Sequence, residues 1–156
     1  MRSETIADKP GDPGRKAAMA AFACAGRDEL RALCEGAGLP MDAEILRGPE
    51  TGLVTVRGRI GGGGAVFNTG EATVTRATVR LPSGQIGHAY ALGRDKEKAR
   101  LAAILDANWC AQATRAVVEA KIVGPLLEKL AAADSRRRAE TAATKVDFFT
   151  MVRGED

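Results

Sequence analysis

Aromatic residues are scarce in this chain, with one tryptophan, one tyrosine and four phenylalanines among 156 residues. That leaves little for stacking bases along a single strand. Histidine occurs once, at His88, and a lone imidazole without paired cysteines or a second histidine cannot build a zinc site. The three cysteines, Cys24, Cys34 and Cys110, are odd in number and fit no disulfide or metal spacing. They read as reduced thiols in a cytosolic protein. No apolar stretch approaches the length needed to span a bilayer, and the opening MRSETIADKPGDPG has no apolar segment of a secretory signal. The expected compartment is therefore the cytoplasm.

Charge is nearly balanced, 23 basic against 20 acidic residues, net +3. This permits a local anion site but lacks the one-sided excess of a nucleic-acid binder. Hydrophobic residues make up 45%, an ordinary globular share. A chain of this length buries roughly two-thirds of its unfolded surface and needs no staples.

Residues 1–13 are polar, with two prolines and a glycine, and read as a disordered tail. A single domain over 14–156 is expected to follow, ending in an interaction tail at 146–156. From Arg15 the pattern is helical: Ala17, Ala21, Cys24, then Leu30, Leu33 and Cys34 recur at three- and four-residue steps. Gly26 divides two short helices, and Gly36 and Gly38 stop the second. The period then becomes two. In 53–60, Val54, Val56 and Ile60 share one face of a half-buried strand, with Thr55, Arg57 and Arg59 on the other. Gly61 to Gly64 makes the turn. A second strand over 71–81 changes parity between Val74 and Ala77, which predicts a bulge near Thr75 and Arg76. Pro82-Ser83-Gly84 is hairpin chemistry, and 86–92 returns antiparallel.

Asp95 is placed to cap a helix carrying Leu101, Ile104, Leu105 and Trp109. Gly124-Pro125 is expected to break the helical run, with Pro125 opening a long helix through Ala143. That helix would bury Leu126, Leu127, Leu130 and Ala133. The fold class is α+β: a helical pair, an antiparallel meander, then long helices packed on one face of the sheet.

Several features could carry chemistry, each with a plainer reading beside it. His88 could act as a general base, yet no nucleophile pattern accompanies it. Gly61 to Gly64 could cradle phosphate, but the Lys-Ser/Thr of a P-loop is missing and strand follows, so a hairpin loop is the simpler account. Arg94, where a strand gives way to a helix, could hold an anion beside the helix's positive end; the plain alternative is a turn and cap. Arg57, Arg59, Arg76 and Arg80 could form a basic stripe or simply a solvated sheet face. Arg136 to Arg138 read as a solvated helix face. Phe148, Phe149 and Met151, close to the end, either dock on their own domain or insert into a partner. Two rivals from other classes remain open. One is a free-standing nucleotide- or anion-binding module, using Gly61 to Gly64 and Arg94. The other is a nucleic-acid binder using the arginine stripe and Arg136 to Arg138.

Read in order, Glu50-Thr51-Gly52-Leu53-Val54, Gly70-Glu71-Ala72-Thr73-Val74-Thr75-Arg76-Ala77, Gly93-Arg94-Asp95-Lys96 and Val146-Asp147-Phe148-Phe149-Thr150-Met151-Val152-Arg153-Gly154 resemble one family. It is the G subunit of the bacterial carbon–phosphorus lyase system, and the resemblance covers about residues 15–156. It implies an accessory role in phosphonate catabolism, beside sister subunits H, I and J in a core with two copies of each. With H, I and L, the family supports attack of a phosphonate on the anomeric carbon of ATP ribose, releasing adenine. ATP is then a substrate of the complex, and no cofactor is expected on this chain. The iron–sulfur cluster and S-adenosylmethionine belong to the J subunit, and the nucleosidase chemistry is assigned to the I subunit. On this reading Thr75, Arg76, His88 and Arg94 are candidates for substrate or anion binding. Trp109, Phe148, Phe149, Met151 and Arg153 are candidates for holding the I subunit.

Overall fold

A computed structural model describes residues 12–144. The tail placed at 146–156, with Phe148, Phe149, Met151 and Arg153, lies outside the described residues, as does most of the tail placed at 1–13. Helix α1 spans Pro13–Cys24, with Pro13 in the first turn, where no backbone N–H is needed. Asp12 caps it, accepting from the N–H of Gly14 at 2.9 Å. Helix α2, Arg27–Ala37, ends at Gly38, whose φ of 65° closes it in the left-handed conformation.

Three antiparallel strands follow in the order β1 (Glu44–Arg59), β2 (Val66–Arg80) and β3 (Ile86–Leu92). Helix α3 (Lys96–Cys110) is capped by Asp95, which accepts from Lys98 N–H at 2.9 Å. Then come α4 (Gln112–Val118), one π turn (Glu119–Val123) and α5 (Gly124–Ala143). The architecture is the expected α+β. Among these residues no helix is long and apolar enough to cross a membrane.

Helix α3 is the axis of the core. Every residue from Leu101 to Trp109 is buried, so it has no solvent face to display amphipathic spacing. Its alanines lie against Gly87, Ala89 and Ala91 of β3 and Ala77 and Val79 of β2. Small side chains on both layers let helix and sheet approach closely. Phe22 and Ala18 of α1 and Leu30 and Cys34 of α2 close the core from the other side.

The details correct the sequence reading in five places. The α1 core stripe is Ala18, Ala21, Phe22 and Ala25; Ala17 and Cys24 are exposed, because Phe22 is the bulkiest group available and turns the helix toward itself. The helical run breaks at Ala111, which is extended (φ −79°, ψ 121°), and not at Gly124-Pro125. The π turn accommodates Pro125: Gly124 N–H reaches Glu119 C=O five residues back, and the proline needs no donor. On α5 only Leu126 is buried, while Leu127 and Leu130 face outward.

The fourth correction concerns the bulge. The β2–β3 pairing runs unbroken from Val74 to Arg80, so β2 is regular where parity suggested a slip. Arg47 pairs with Thr78 and Glu50 with Arg76, which puts the extra residue on β1, at Gly48-Pro49. Val74 and Ala77 differ in parity because they are buried on opposite faces. Lastly, β1 begins at Glu44, and its 53–59 stretch is an exposed arm, not a half-buried strand; Ile60 is 77% exposed at its end. The arm outruns β3, which stops opposite Val74, so among the described residues no third strand covers it.

Cysteine accessibility offers a direct check on this packing. Cys34 is 1% exposed, and burial pushes its thiol up to about 11, whereas Cys24 is exposed. At pH 8 Cys34 is therefore a protonated, sheltered thiol, and its thiolate appears only as pH rises toward that value. Labelling with a disulfide reagent is expected to modify Cys24 first, with Cys34 slower by roughly a hundredfold or more. Equal rates would contradict the placement of α2.

Candidate functional site: the open face of the sheet

A sheet buries alternate residues on each side. Here Thr75, Ala77, Val79, Gly87, Ala89 and Ala91 turn toward α3. The other face is open. Along β3 it presents Ile86, His88, Tyr90 and Leu92, all exposed, and on β2 Val74, Arg76, Thr78 and Arg80. β1 adds Glu50, Gly52, Val54 and Val56 in register with Arg76, Val74, Ala72 and Gly70.

This face has two ends of different character. Toward the arm it is apolar: Val54, Val56, Ala72, Val74, Tyr90 and Leu92, with Cys24 of α1, line a groove of about 470 Å³. Leu92 is 73% exposed and Val56 43%. Toward β1's start it is charged. Arg76 Nε donates to Glu50 Oε1 at 2.6 Å, Arg47 pairs with that same oxygen, and Arg80 bridges Glu44 at 3.3 Å. The β1 bulge explains the first cluster. Arg47 and Glu50, three apart, would lie on opposite faces of a regular strand; one extra residue brings them together. Bonding to Arg76 holds the Glu50 carboxyl below the usual glutamate range. A lowered value means that the bridge is intact above the ordinary range and is lost only as pH falls through the lowered one. Between the two ends lies a hollow of about 130 Å³ above Gly52 and Val74, walled by Glu50, Arg76 and Tyr90.

The four anion-binding candidates are not gathered at one point. Arg76 is on the open face, paired with Tyr90 across the strands. Thr75 points the other way, 1% exposed; its hydroxyl lies 2.7 Å from Gly93 C=O and 3.0 Å from Thr51 Oγ1. It anchors the end of β3 and has no surface to offer a ligand. Arg94 is exposed in the turn after β3, four residues beyond Tyr90, or about 13 Å along the strand direction. His88 is on the open face with Nδ1 3.1 Å from Thr78 Oγ1. Trp109 is 3% exposed and belongs to this chain's own core, under the Arg115 guanidinium at 3.8 Å and donating from Nε1 to Glu119. Gly61 to Gly64 closes the arm as a hairpin end. The arginine stripe is interrupted by the β1 carboxylates, and Arg137 and Arg138 pair with Asp134.

Sequence reasoning passed over Asp106. It is fully buried, accepts two bonds from Arg15 at 3.0 and 2.8 Å, and accepts the backbone N–H of His88 at 2.8 Å. It ties α1, α3 and β3 at one point. Its bonding pushes the Arg15 guanidinium up, away from deprotonation. Arg47 and Glu50 were also passed over as a site, since strand parity separates them.

Comparison with known proteins now adds to this geometry. The family model described as "Phosphonate metabolism protein PhnG" matches residues 13–154. The alpha-D-ribose 1-methylphosphonate 5-triphosphate synthase subunit PhnG of Rhizobium meliloti (strain 1021) is 51% identical over 156 residues, spanning 100% of this chain and 99% of that protein. With family and full-length relative in agreement, and the fold carrying one packed and one open sheet face, this chain belongs to the PhnG family of phosphonate metabolism proteins.

Proposed function

We propose that this chain is an accessory, scaffolding subunit of a phosphonate-ribosyl triphosphate synthase, and that it assembles through the open sheet face and arm. The relative is named as a subunit of such a synthase. The carrying observation is the contrast between the two faces: one is covered by α3 at Thr75, Ala77 and Val79, while the other leaves Tyr90 and Leu92 more than half exposed beside a groove. A contiguous apolar surface of this kind, rimmed by charge, marks a protein contact.

In this reading the I subunit is the direct neighbour, with H and J completing the core and L acting with it. The assembled complex transfers a phosphonate to the anomeric carbon of ATP ribose and releases adenine. The displacement chemistry is supplied by a sister chain, and this chain shapes the site. Its place in the cell is the cytoplasm. The 146–156 tail is a second contact.

Co-expression with the I subunit followed by size-exclusion chromatography tests the reading. The wild-type chain is expected to co-elute stoichiometrically. Val56→Asp with Leu92→Asp, both exposed in the free chain and both lining the groove, should weaken assembly roughly a hundredfold while leaving the isolated chain's melting temperature unchanged. Undiminished co-elution of the double variant would remove the open face from the interface. A chain ending before Val146 that still assembles would remove the tail.

A further inference from the structure

We infer that Arg47, Arg76 and the hollow above Gly52 form a binding site for a tetrahedral oxyanion, a phosphate or phosphonate group, whose place Glu50 holds in the free chain. This goes beyond the assembly reading and does not depend on it, since every residue of the site lies in one chain.

The first ground is charge. Two guanidinium groups share one carboxylate, and indeed one oxygen of it, which leaves one positive charge uncompensated. Among the described residues only one bond is made by Arg76, so its other donors have no protein acceptor. A dianion would compensate both arginines, and its several oxygens would accept from both forks.

The second ground is shape. Beside the arginines is a hollow of about 130 Å³, open because β1 carries glycine there. A Cβ built on Gly52 would meet nothing within 4 Å, so the glycine is not required by packing. The third ground is the bulge. Gly48-Pro49 costs the sheet one regular pairing and brings Arg47 and Glu50 to the same side as Arg76. A simple clip between strands needs only one arginine; Arg80 with Glu44 does that job two pairs further along.

Titration of the full-length chain at fixed ionic strength, followed by calorimetry, separates a binding site from a strand clip. The probes are methylphosphonate and inorganic triphosphate, with chloride as the background anion. Arg76→Ala should weaken binding by roughly tenfold or more, the worth of charge-assisted bonds. Glu50→Gln should strengthen it, by roughly threefold, because the competing carboxylate is gone. Gly52→Val should abolish binding with the unfolding midpoint unchanged. A clip predicts the reverse for Glu50→Gln, which would then lower stability and leave anion binding no stronger. Saturation by methylphosphonate assigns the site to the phosphonate, and saturation by triphosphate alone assigns it to a polyphosphate chain; either supports the site. If neither anion binds, or if Glu50→Gln weakens binding as Arg76→Ala does, the inference fails.

Discussion

Gly87→Ala is expected to leave the fold badly damaged, costing about 3–5 kcal/mol, at or above the top of the usual overpacking range. The reason is the distance between β3 and α3. A Cβ on Gly87 would stand 2.0 Å from Ala103 C=O, 2.3 Å from Ala107 N and 2.8 Å from Ala107 Cβ. Two of these are helix backbone atoms, so no rotamer change relieves the clash; α3 itself must move. Since α3 is buried from Leu101 to Trp109, moving it disturbs α1, α2 and the sheet together. A domain of this size has about 5–15 kcal/mol of stability in total, so the variant would be marginal. Urea unfolding followed by circular dichroism measures the loss. Gly52→Ala, whose Cβ meets open space, is the matched control and should change little. A Gly87→Ala chain within 1 kcal/mol of wild type would mean that helix and sheet are not so closely packed.

Arg15→Ala should cost about 3–5 kcal/mol, the loss expected when one partner of a buried ion pair is removed. Asp106 is fully buried, so without Arg15 its charge keeps only the His88 N–H as an acceptor's partner. Arg15→Lys should recover part of the loss, since lysine supplies charge but not the two-pronged fork that meets both carboxylate oxygens. Replacing both residues together, Arg15→Met with Asp106→Leu, should cost less than Arg15→Ala alone, because no buried charge is then left unpaired. Chemical denaturation of the three variants gives the order. A double replacement worse than the single one would show that the His88 N–H contact, and not the ion pair, holds the junction of α1, α3 and β3.

These variants also separate stability from function. Gly87, Arg15 and Asp106 act through the core on the α3 side. Val56, Leu92, Arg76 and Glu50 act on the open face. Failure of assembly in a chain that melts normally therefore points to the open face, and failure with a lowered melting temperature points to the core.

Much of the architecture was legible from local signals. Asp95 caps α3, Gly38 ends α2 and Pro82-Ser83-Gly84 turns β2 into β3, because these depend on backbone conformations only a few residues long. Less legible were properties set by residues far apart in the chain. Ile60 and Val56 read as core by their alternation, yet they sit on an arm left exposed among the described residues. Trp109 reads as a candidate for holding a partner but is 3% exposed, beneath Arg115. Alternation reports which residues share a face; it does not report whether anything lies against that face.

The same limit applies to the site. The order of segments along the chain was enough to point to the family, since a family resemblance resides in sequence. Hydrophobic periodicity and turn chemistry were enough for the α+β class. Tertiary structure alone decided that Thr75 and Arg76, adjacent in sequence, serve opposite faces of the sheet, one spent on Gly93 and the other paired with Glu50 on the open face. It alone decided that Arg47, Glu50 and Arg76 meet, because their meeting needs a bulge on one strand and a register with the next. And it alone showed Asp106 as the buried tie between three elements. A carboxylate's neighbours 18 and 91 residues away have no trace in its local pattern.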